Sequence, residues 1–200
     1  MATNEELELW LKNLRDTMWF EEQARAVFER IVYGKGNCLM ILQGPSKIAN
    51  KTYFLNMVKA FQKGVPSIAK KYFTEDMQRL LAEVGVSQYQ CVDIGHEYPY
   101  DKSTLPYRYR VSLDVTLPLS IVSAGRKRGL KKGYHTVVLC DKLHEYMNHN
   151  ESNFTFLNEL SQQGSKDITF LGAYTLDEWD KKDGLKHTVL ASHVMVLGYD

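Results

Sequence analysis

The stretch 44-GPSKIANKT-52 decides how the rest of the chain is interpreted. It follows an apolar run, 38-CLMILQ-43, and precedes a segment of helical character, 53-YFLNMVKAFQ-62. A strand, a loop that opens with glycine, a Lys-Thr pair and a helix together form the layout of a phosphate-binding loop. The sequence therefore predicts such a loop between its first strand and the helix that follows.

The spacing within this stretch departs from that layout. A phosphate-binding loop has a glycine, four further residues, and then Gly-Lys-Ser or Gly-Lys-Thr. Counted from Gly44, these last three positions hold Ala49, Asn50 and Lys51, so the Lys-Thr pair comes one residue late. The second glycine lets the backbone approach the phosphates, and a side chain there would crowd it. We interpret the stretch as a degenerate phosphate-binding loop.

Length and composition predict one globular domain. The 200 residues suffice for a core of their own. The net charge of +1 creates no global field that would attract nucleic acid or membrane, so such binding needs a local patch. No apolar run is long enough to span a bilayer, and the acidic start MATNEELELW does not resemble a signal sequence. We expect no membrane partner.

The cysteines and histidines predict no metal site. Cys38, Cys91 and Cys140 lack metal-ligand spacing, and we expect buried thiols in a reducing compartment. His144 and His149 flank a Glu-Tyr-Met stretch without a third ligand nearby, which favours surface or loop histidines.

Hydrophobic periodicity divides the chain into alternating helices and strands. Helices are predicted over 6–32 with a break near Trp19–Phe20, and over 53–62, 67–85, 112–124 with an interruption at Pro118, and 151–164. Strands are predicted over 37–43, 88–94, 135–141, 168–174 and 189–199. Gly34 and Gly36 are expected to end the N-terminal helical region.

This alternation predicts an α/β fold with a mostly parallel central sheet and helices on both faces. We expect residues 35–200 to form the core domain and residues 1–34 to be an N-terminal helical segment packed on it. Ligands of such sheets bind at the carboxyl ends of the strands. Polar or loop chemistry lies at four of these ends, at Gly44, Asp93, Asp141 and Tyr174.

In order and placement, these segments resemble the ATPase core of the RecA-type recombinase family over about residues 20–200. The resemblance implies a RecA-like P-loop ATPase core, with Walker A at 44–52 and the Walker B strand at 136-TVVLCD-141. The segment 91-CVDIGHE-97 resembles the family strand that ends in Asp-x-Glu, whose glutamate activates the attacking water. The strand 168-ITFLGAY-174 occupies the sensor position.

The departures from the family pattern all weaken catalysis. Gly95 holds the general-base position and Glu97 lies two residues further, while Lys142 replaces a small hydroxyl residue and Tyr174 replaces an amide. We therefore expect no catalytic residues and a pseudo-ATPase that does not require ATP or Mg²⁺, although weak binding of both is conceivable. The residues of such a degenerate nucleotide site are Gly44, Lys47, Lys51, Thr52 and Asp141.

The resemblance implies a non-catalytic recombinase paralogue. Such a subunit pairs with another paralogue as a heterodimer and binds or remodels recombinase filaments on single-stranded DNA during homologous recombination repair in the nucleus. One alternative is a divergent, active DNA-dependent ATPase that uses Lys51 and Thr52, with Glu97 as base. A second alternative is a RecA-fold regulator outside recombination, related to clock or motility ATPases.

Two stretches are candidates for contact with DNA or a partner. The basic run, which a solvated turn would explain equally well, comprises Arg126, Lys127, Arg128, Lys131 and Lys132. In the connection 95–110, Arg108 and Arg110 alternate with tyrosines that could stack on bases or fill a protein interface, and the latter is favoured.

Overall fold

A five-stranded, all-parallel sheet forms the centre of the computed structural model. The structure describes residues 2–44, 50–94, 108–110, 116–118, 131, 133–149, 151–163, 165–175 and 191–199. The strands are β1 Thr17–Met18, β2 Leu39–Gly44, β3 Tyr89–Ile94, β4 Arg108–Arg110, β5 Thr116–Pro118, β6 His135–Cys140, β7 Ile168–Thr175, β8 Val194–Val196 and β9 Gly198–Tyr199. The helices are α1 Asn4–Arg15, α2 Phe20–Tyr33, α3 Asn50–Phe61, α4 Glu75–Val86, α5 Leu143–His149 and α6 Glu151–Gln163.

The central sheet has the strand order β3-β6-β7-β2-β8. β7 therefore lies between β2, which precedes the quoted stretch, and β6, which precedes Asp141. Because all five strands run in one direction, their carboxyl ends share one edge of the sheet. The α/β fold with a central parallel sheet, predicted from the sequence, is confirmed.

Both faces of the sheet are covered because its strands are apolar on both sides. Along β2, Met40 and Leu42 belong to one buried cluster, and Leu39 and Ile41 belong to another. The first cluster includes buried residues of α1 to α4, and the second includes residues of α5 and α6. The residues of one strand thus hold two helical layers to the sheet.

The N-terminal segment contributes to the first cluster through α1 and α2. Thr3 and Glu6 form a reciprocal capping box at the start of α1. The break predicted near Trp19–Phe20 is confirmed, and it contains β1, which pairs antiparallel with β9. Gly34, at a φ of 66°, ends α2 as expected.

Several predicted elements are wrong in type or length. The segment 67–85 is a 3-10 helix at Ser67–Tyr72 followed by α4, because Phe73 and Ser87 adopt extended conformations on either side of α4. In the predicted helix 112–124, residues 116–118 are instead β5, which pairs with β4. His144 and His149 lie in α5 rather than in a loop. The last predicted strand is a 3-10 helix at Ala191–His193 and two short strands.

All three cysteines are buried and outside disulfides, as predicted. Within the described part of the chain, no helix has the length and apolar character that a membrane crossing requires.

Buried Arg30 joins α2 to the end of the sheet opposite the strand carboxyl ends. Its guanidinium donates to the carbonyl oxygens of Ser165, Ile168 at 3.2 Å and Gly34 at 2.6 Å. Nearby, a ring nitrogen of His135 lies 2.7 Å from the hydroxyl oxygen of Thr169. Burial, reinforced by the charge of Arg30, lowers the pKa of His135 from 6.5 to about 4.

We predict that acid weakens the fold through His135. Because its folded-state pKa is lowered, the unfolded chain binds the proton more readily, so this contribution is complete above pH 6.5 and is lost as the pH falls towards 4. The free energy of unfolding should fall by on the order of 2 kcal/mol between pH 6.5 and 5. Urea unfolding of wild type and His135→Gln across this range measures it. His193, whose pKa burial also lowers, acts in the same direction in both proteins. Equal pH slopes for the two proteins would contradict the prediction.

Candidate functional site

The carboxyl edge of the sheet brings the predicted nucleotide-site residues together. Gly44 is the last residue of β2, and Asp141 directly follows β6. The helix α3, predicted to begin at residue 53, begins three residues earlier at Asn50 and so includes the end of the 44–52 stretch. This earlier start places Lys51 and Thr52 in the first turn of α3, facing the strand ends.

Thr52 and Asp141 are joined directly. The Thr52 hydroxyl lies 3.0 and 3.1 Å from the two carboxylate oxygens of Asp141, to which it donates. β7 lies between β2 and β6 in the sheet, so this contact spans the end of β7. A hydroxyl paired with a strand-end carboxylate is an oxygen donor set suited to Mg²⁺.

Lys51 is a buried cation beside this pair. The residue is only 7% exposed, and its ammonium donates to the carbonyl oxygen of Gly44 at 3.0 Å. The bond folds the lysine back over the start of the quoted stretch. A lysine that reaches the end of one strand, together with a hydroxyl and a carboxylate paired at the same sheet edge, is a combination that attracts a phosphate group with a bound cation.

Gly44 is required by a close approach of the C-terminal segment. A Cβ atom at this position would lie 2.7 Å from the carbonyl oxygen of Leu197. The amide of Leu197 donates to the carbonyl of Gln43 at 2.8 Å, which fixes the two backbones against each other. The close packing against Leu197 is therefore a second reason for glycine at this position, besides the layout of a phosphate-binding loop.

Asp93 and Tyr174, the other two strand-end residues, have different surroundings. Asp93 forms an ion pair with Lys59 of α3. Tyr174 is 3% exposed and packs in the second buried cluster, where burial raises its pKa. Tyr174 is thus a core residue in β7, although its position in the sequence suggested polar chemistry at the sheet edge.

The structure places Lys131 away from this edge. Its backbone N–H and carbonyl bond to the Gln90 side chain at 2.8 and 3.0 Å, near the start of β3 and β6. Its ammonium lies 5.2 Å from the centroid of the Tyr134 ring. Arg108 and Arg110 lie in β4, of which only the backbone is described. The predicted residues outside the described ranges are Lys47, Gly95, Glu97, Arg126, Lys127, Arg128 and Lys132.

Sequence reasoning missed three residues that hold this site. They are Thr17, whose hydroxyl accepts from Asn50 at 2.6 Å, Lys59 and Leu197. Lys59 carried one signal: it lies two turns after Lys51 on the same helix, near the predicted strand end at Asp93. Thr17 carried none, because it comes from a two-residue strand inside a region with helical periodicity.

The donor set fits a nucleotide phosphate group with Mg²⁺. Lys51 would hold phosphate oxygens, and Thr52 and Asp141 would hold the cation, which would neutralise phosphate charge when bound. Among the described residues no three His, Cys, Asp or Glu side chains could hold a metal ion together. Mg²⁺ in nucleotide sites uses few protein ligands, with phosphates and water supplying the rest. No protein-family model and no curated protein matches the chain.

We predict that Gly44→Ala destabilises the protein. The new methyl group meets a backbone oxygen that cannot rotate away, and overpacking of this kind costs about 1–3 kcal/mol. Gly85→Ala is the matched control, because its Cβ would lie 3.8 Å from the nearest atom, within α4. Helix propensity favours alanine there, so the control should be unchanged or stabilised by up to about 1 kcal/mol. Thermal unfolding compares them, and equal stability of both variants would argue against the close approach.

Proposed function

We propose that this protein is a RecA-type nucleotide-binding subunit that does not hydrolyse nucleotide efficiently. In this proposal, ATP with Mg²⁺ is a weak assembly ligand that folding does not require. The observation that carries the nucleotide site is the hydrogen bond of Thr52 with Asp141, at the sheet edge where buried Lys51 binds the Gly44 carbonyl. In phosphate-loop proteins the corresponding hydroxyl and aspartate hold Mg²⁺ and the lysine reaches the phosphates.

Strand order also supports a RecA-type core. In that family the strand at the sensor position lies between the Walker A strand and the Walker B strand. Here β7 lies between β2 and β6, and β8 lies on the other side of β2. The late Lys-Thr pair is compatible with this interpretation, because α3 begins at Asn50 and both residues of the pair are in its first turn.

Three features favour binding without hydrolysis. The sequence has Gly95 where the family has its general-base glutamate. The Asp93 carboxylate is engaged in an ion pair with Lys59 and does not stand alone at the sheet edge. Lys142, in place of a small hydroxyl residue after the Walker B aspartate, pairs with Glu145 at 3.2 Å and adds a cation next to Asp141.

The role in recombination rests on the family resemblance. As a recombinase paralogue, the protein would form a heterodimer with another paralogue and act as a mediator on recombinase filaments and single-stranded DNA in the nucleus. The basic run and the arginines of β4 are the proposed contacts with DNA or with the partner. Affinity purification from cells tests this role. Recovery of recombination proteins would support it, and recovery of signalling or motor proteins instead would favour a regulator outside recombination.

The second candidate function is a divergent DNA-dependent ATPase. The observation that supports it is the same Thr52–Asp141 contact, because a hydroxyl and an aspartate that hold Mg²⁺ would serve hydrolysis as well as binding. The two candidates differ in phosphate release rather than in binding.

We predict that Mg²⁺–ATP binds and that phosphate release stays at background with or without single-stranded DNA. Lys51→Ala should weaken binding at least about tenfold, since a charge-assisted contact to phosphate contributes about 1.5–3 kcal/mol. Thr52→Val should weaken binding mainly when Mg²⁺ is present. Lys63→Ala, at an exposed lysine just beyond α3, is the charge-matched control. Calorimetry and a phosphate-release assay make these measurements.

Each alternative outcome of this experiment has a definite meaning. Absence of binding by the wild-type protein would remove the nucleotide site from the proposal and leave a scaffold. DNA-stimulated release that disappears in Lys51→Ala would establish the ATPase instead.

A further inference from the structure

Gly44 and Asn50, the residues on either side of 45–49, are both held by contacts with one pair of short strands and the residue next to it. Before the segment, Gly44 lies against the backbone of Leu197, which directly precedes β9. After it, the Asn50 side chain donates to the Thr17 hydroxyl in β1 at 2.6 Å. β1 and β9 pair with each other, Thr17 opposite Tyr199 and Met18 opposite Gly198. We call this pair the β1–β9 ribbon.

We propose that the β1–β9 ribbon sets the distance between Gly44 and Asn50, and that Thr17 is a positioning residue for nucleotide binding. This inference rests on the proposed nucleotide site. Asn50 directly precedes Lys51 and Thr52, so its position determines where the ammonium and the hydroxyl lie relative to Asp141. Thr17 acts through Asn50 and touches none of the proposed ligand atoms.

Thr17 is suited to this role because its hydroxyl both donates and accepts a hydrogen bond. The residue is 5% exposed, and the hydroxyl donates to the carbonyl oxygen of Asn13 at 3.2 Å while it accepts from Asn50. The bond to Asn13 fixes the direction of the lone pair that Asn50 needs. Valine has nearly the same shape and lacks both bonds, so Thr17→Val removes the contact without opening a cavity.

The chain leaves the ribbon by a strained turn. Trp19 has a φ of 61°, and it is the one non-glycine residue with positive φ in the described ranges. A bulky side chain is rarely found in this conformation, which persists only where the surroundings impose it. The backbone of Trp19 then accepts from the Gln23 amide at 2.9 Å at the start of α2. The position of β1 is therefore fixed from α2 as well as from β9.

Coupling between the ribbon and the nucleotide site must act in both directions. If an ordered ribbon favours nucleotide binding, bound nucleotide must stabilise the ribbon to the same extent. Amide hydrogen exchange measures this, because local opening of a two-residue ribbon is cheaper than global unfolding.

Thr17→Val and Thr17→Ser test the inference together. We expect Thr17→Val to weaken Mg²⁺–ATP binding by about tenfold, the effect of one lost buried hydrogen bond, and Thr17→Ser to restore most of the affinity. Thr17→Val should also speed amide exchange in the second turn of α3, whose amides bond the first-turn carbonyls, without nucleotide, and leave β3 and β6 protected. Thr169→Val is the matched control, because it removes a buried threonine hydroxyl bonded to His135 elsewhere in the sheet.

A double-mutant cycle identifies the partner of Thr17. Asn50→Ala alone should weaken binding, and adding Thr17→Val to it should have little further effect, since both remove one contact. Additive losses would overturn the assignment. Unchanged exchange in the second turn of α3 of Thr17→Val, or equal defects in Thr17→Ser and Thr17→Val, would also overturn it.

The exchange measurement separates this inference from the proposed function. If the wild-type protein does not bind Mg²⁺–ATP, the proposed nucleotide site fails, and the role of Thr17 in nucleotide binding fails with it. Faster exchange in the second turn of α3 would then still support the structural part, that the ribbon fixes Asn50. If the wild-type protein binds and Thr17→Val binds equally well, the nucleotide site stands and the inference fails.

Discussion

The placement of Gly44, Lys51, Thr52 and Asp141 depends on a parallel sheet that is buried on both faces. A parallel strand needs a long return connection, and helices provide it while they cover the sheet. In β2, adjacent apolar residues pack against opposite helical layers, so a shift by one residue would exchange the two sets between the layers and disrupt the packing of both. This register fixes Gly44 at the carboxyl edge, opposite Thr175 and near Asp141. The hydrogen bond from Thr52 to Asp141 is a consequence of the same constraint.

The sequence predicted the central strands and the site residues that lie at their ends. Runs such as 38-CLMILQ-43 and 135-HTVVLC-140 are apolar at nearly every position, and only burial on both sides explains them. An aspartate directly after such a run is necessarily at the carboxyl edge. These local signals are sufficient to predict that Gly44, Lys51, Thr52 and Asp141 lie close together.

The elements that the sequence did not predict depend on contacts between distant parts of the chain. β1 has two residues, and its only signal is a break in helical periodicity; its partner β9 lies within a longer apolar stretch whose pattern predicts a single strand. The 67–85 region keeps helical spacing throughout, yet the chain changes direction at Phe73 to bury that ring beside Phe20, at 5.4 Å between ring centroids. Periodicity reports which face is apolar and does not report where a helix is interrupted to satisfy tertiary packing.

The β1–β9 ribbon also has a consequence for the order in which the molecule folds. It joins residues separated by most of the sequence, and closing so long a loop costs conformational entropy that only neighbouring, already packed elements can offset. We therefore expect the helical layers and β2, β6 and β7 to assemble first and the ribbon to close last. Thr17 reaches Asn50 only after that step. A chain still emerging from the ribosome would then lack the contact that holds Asn50 until β9 had docked against β1.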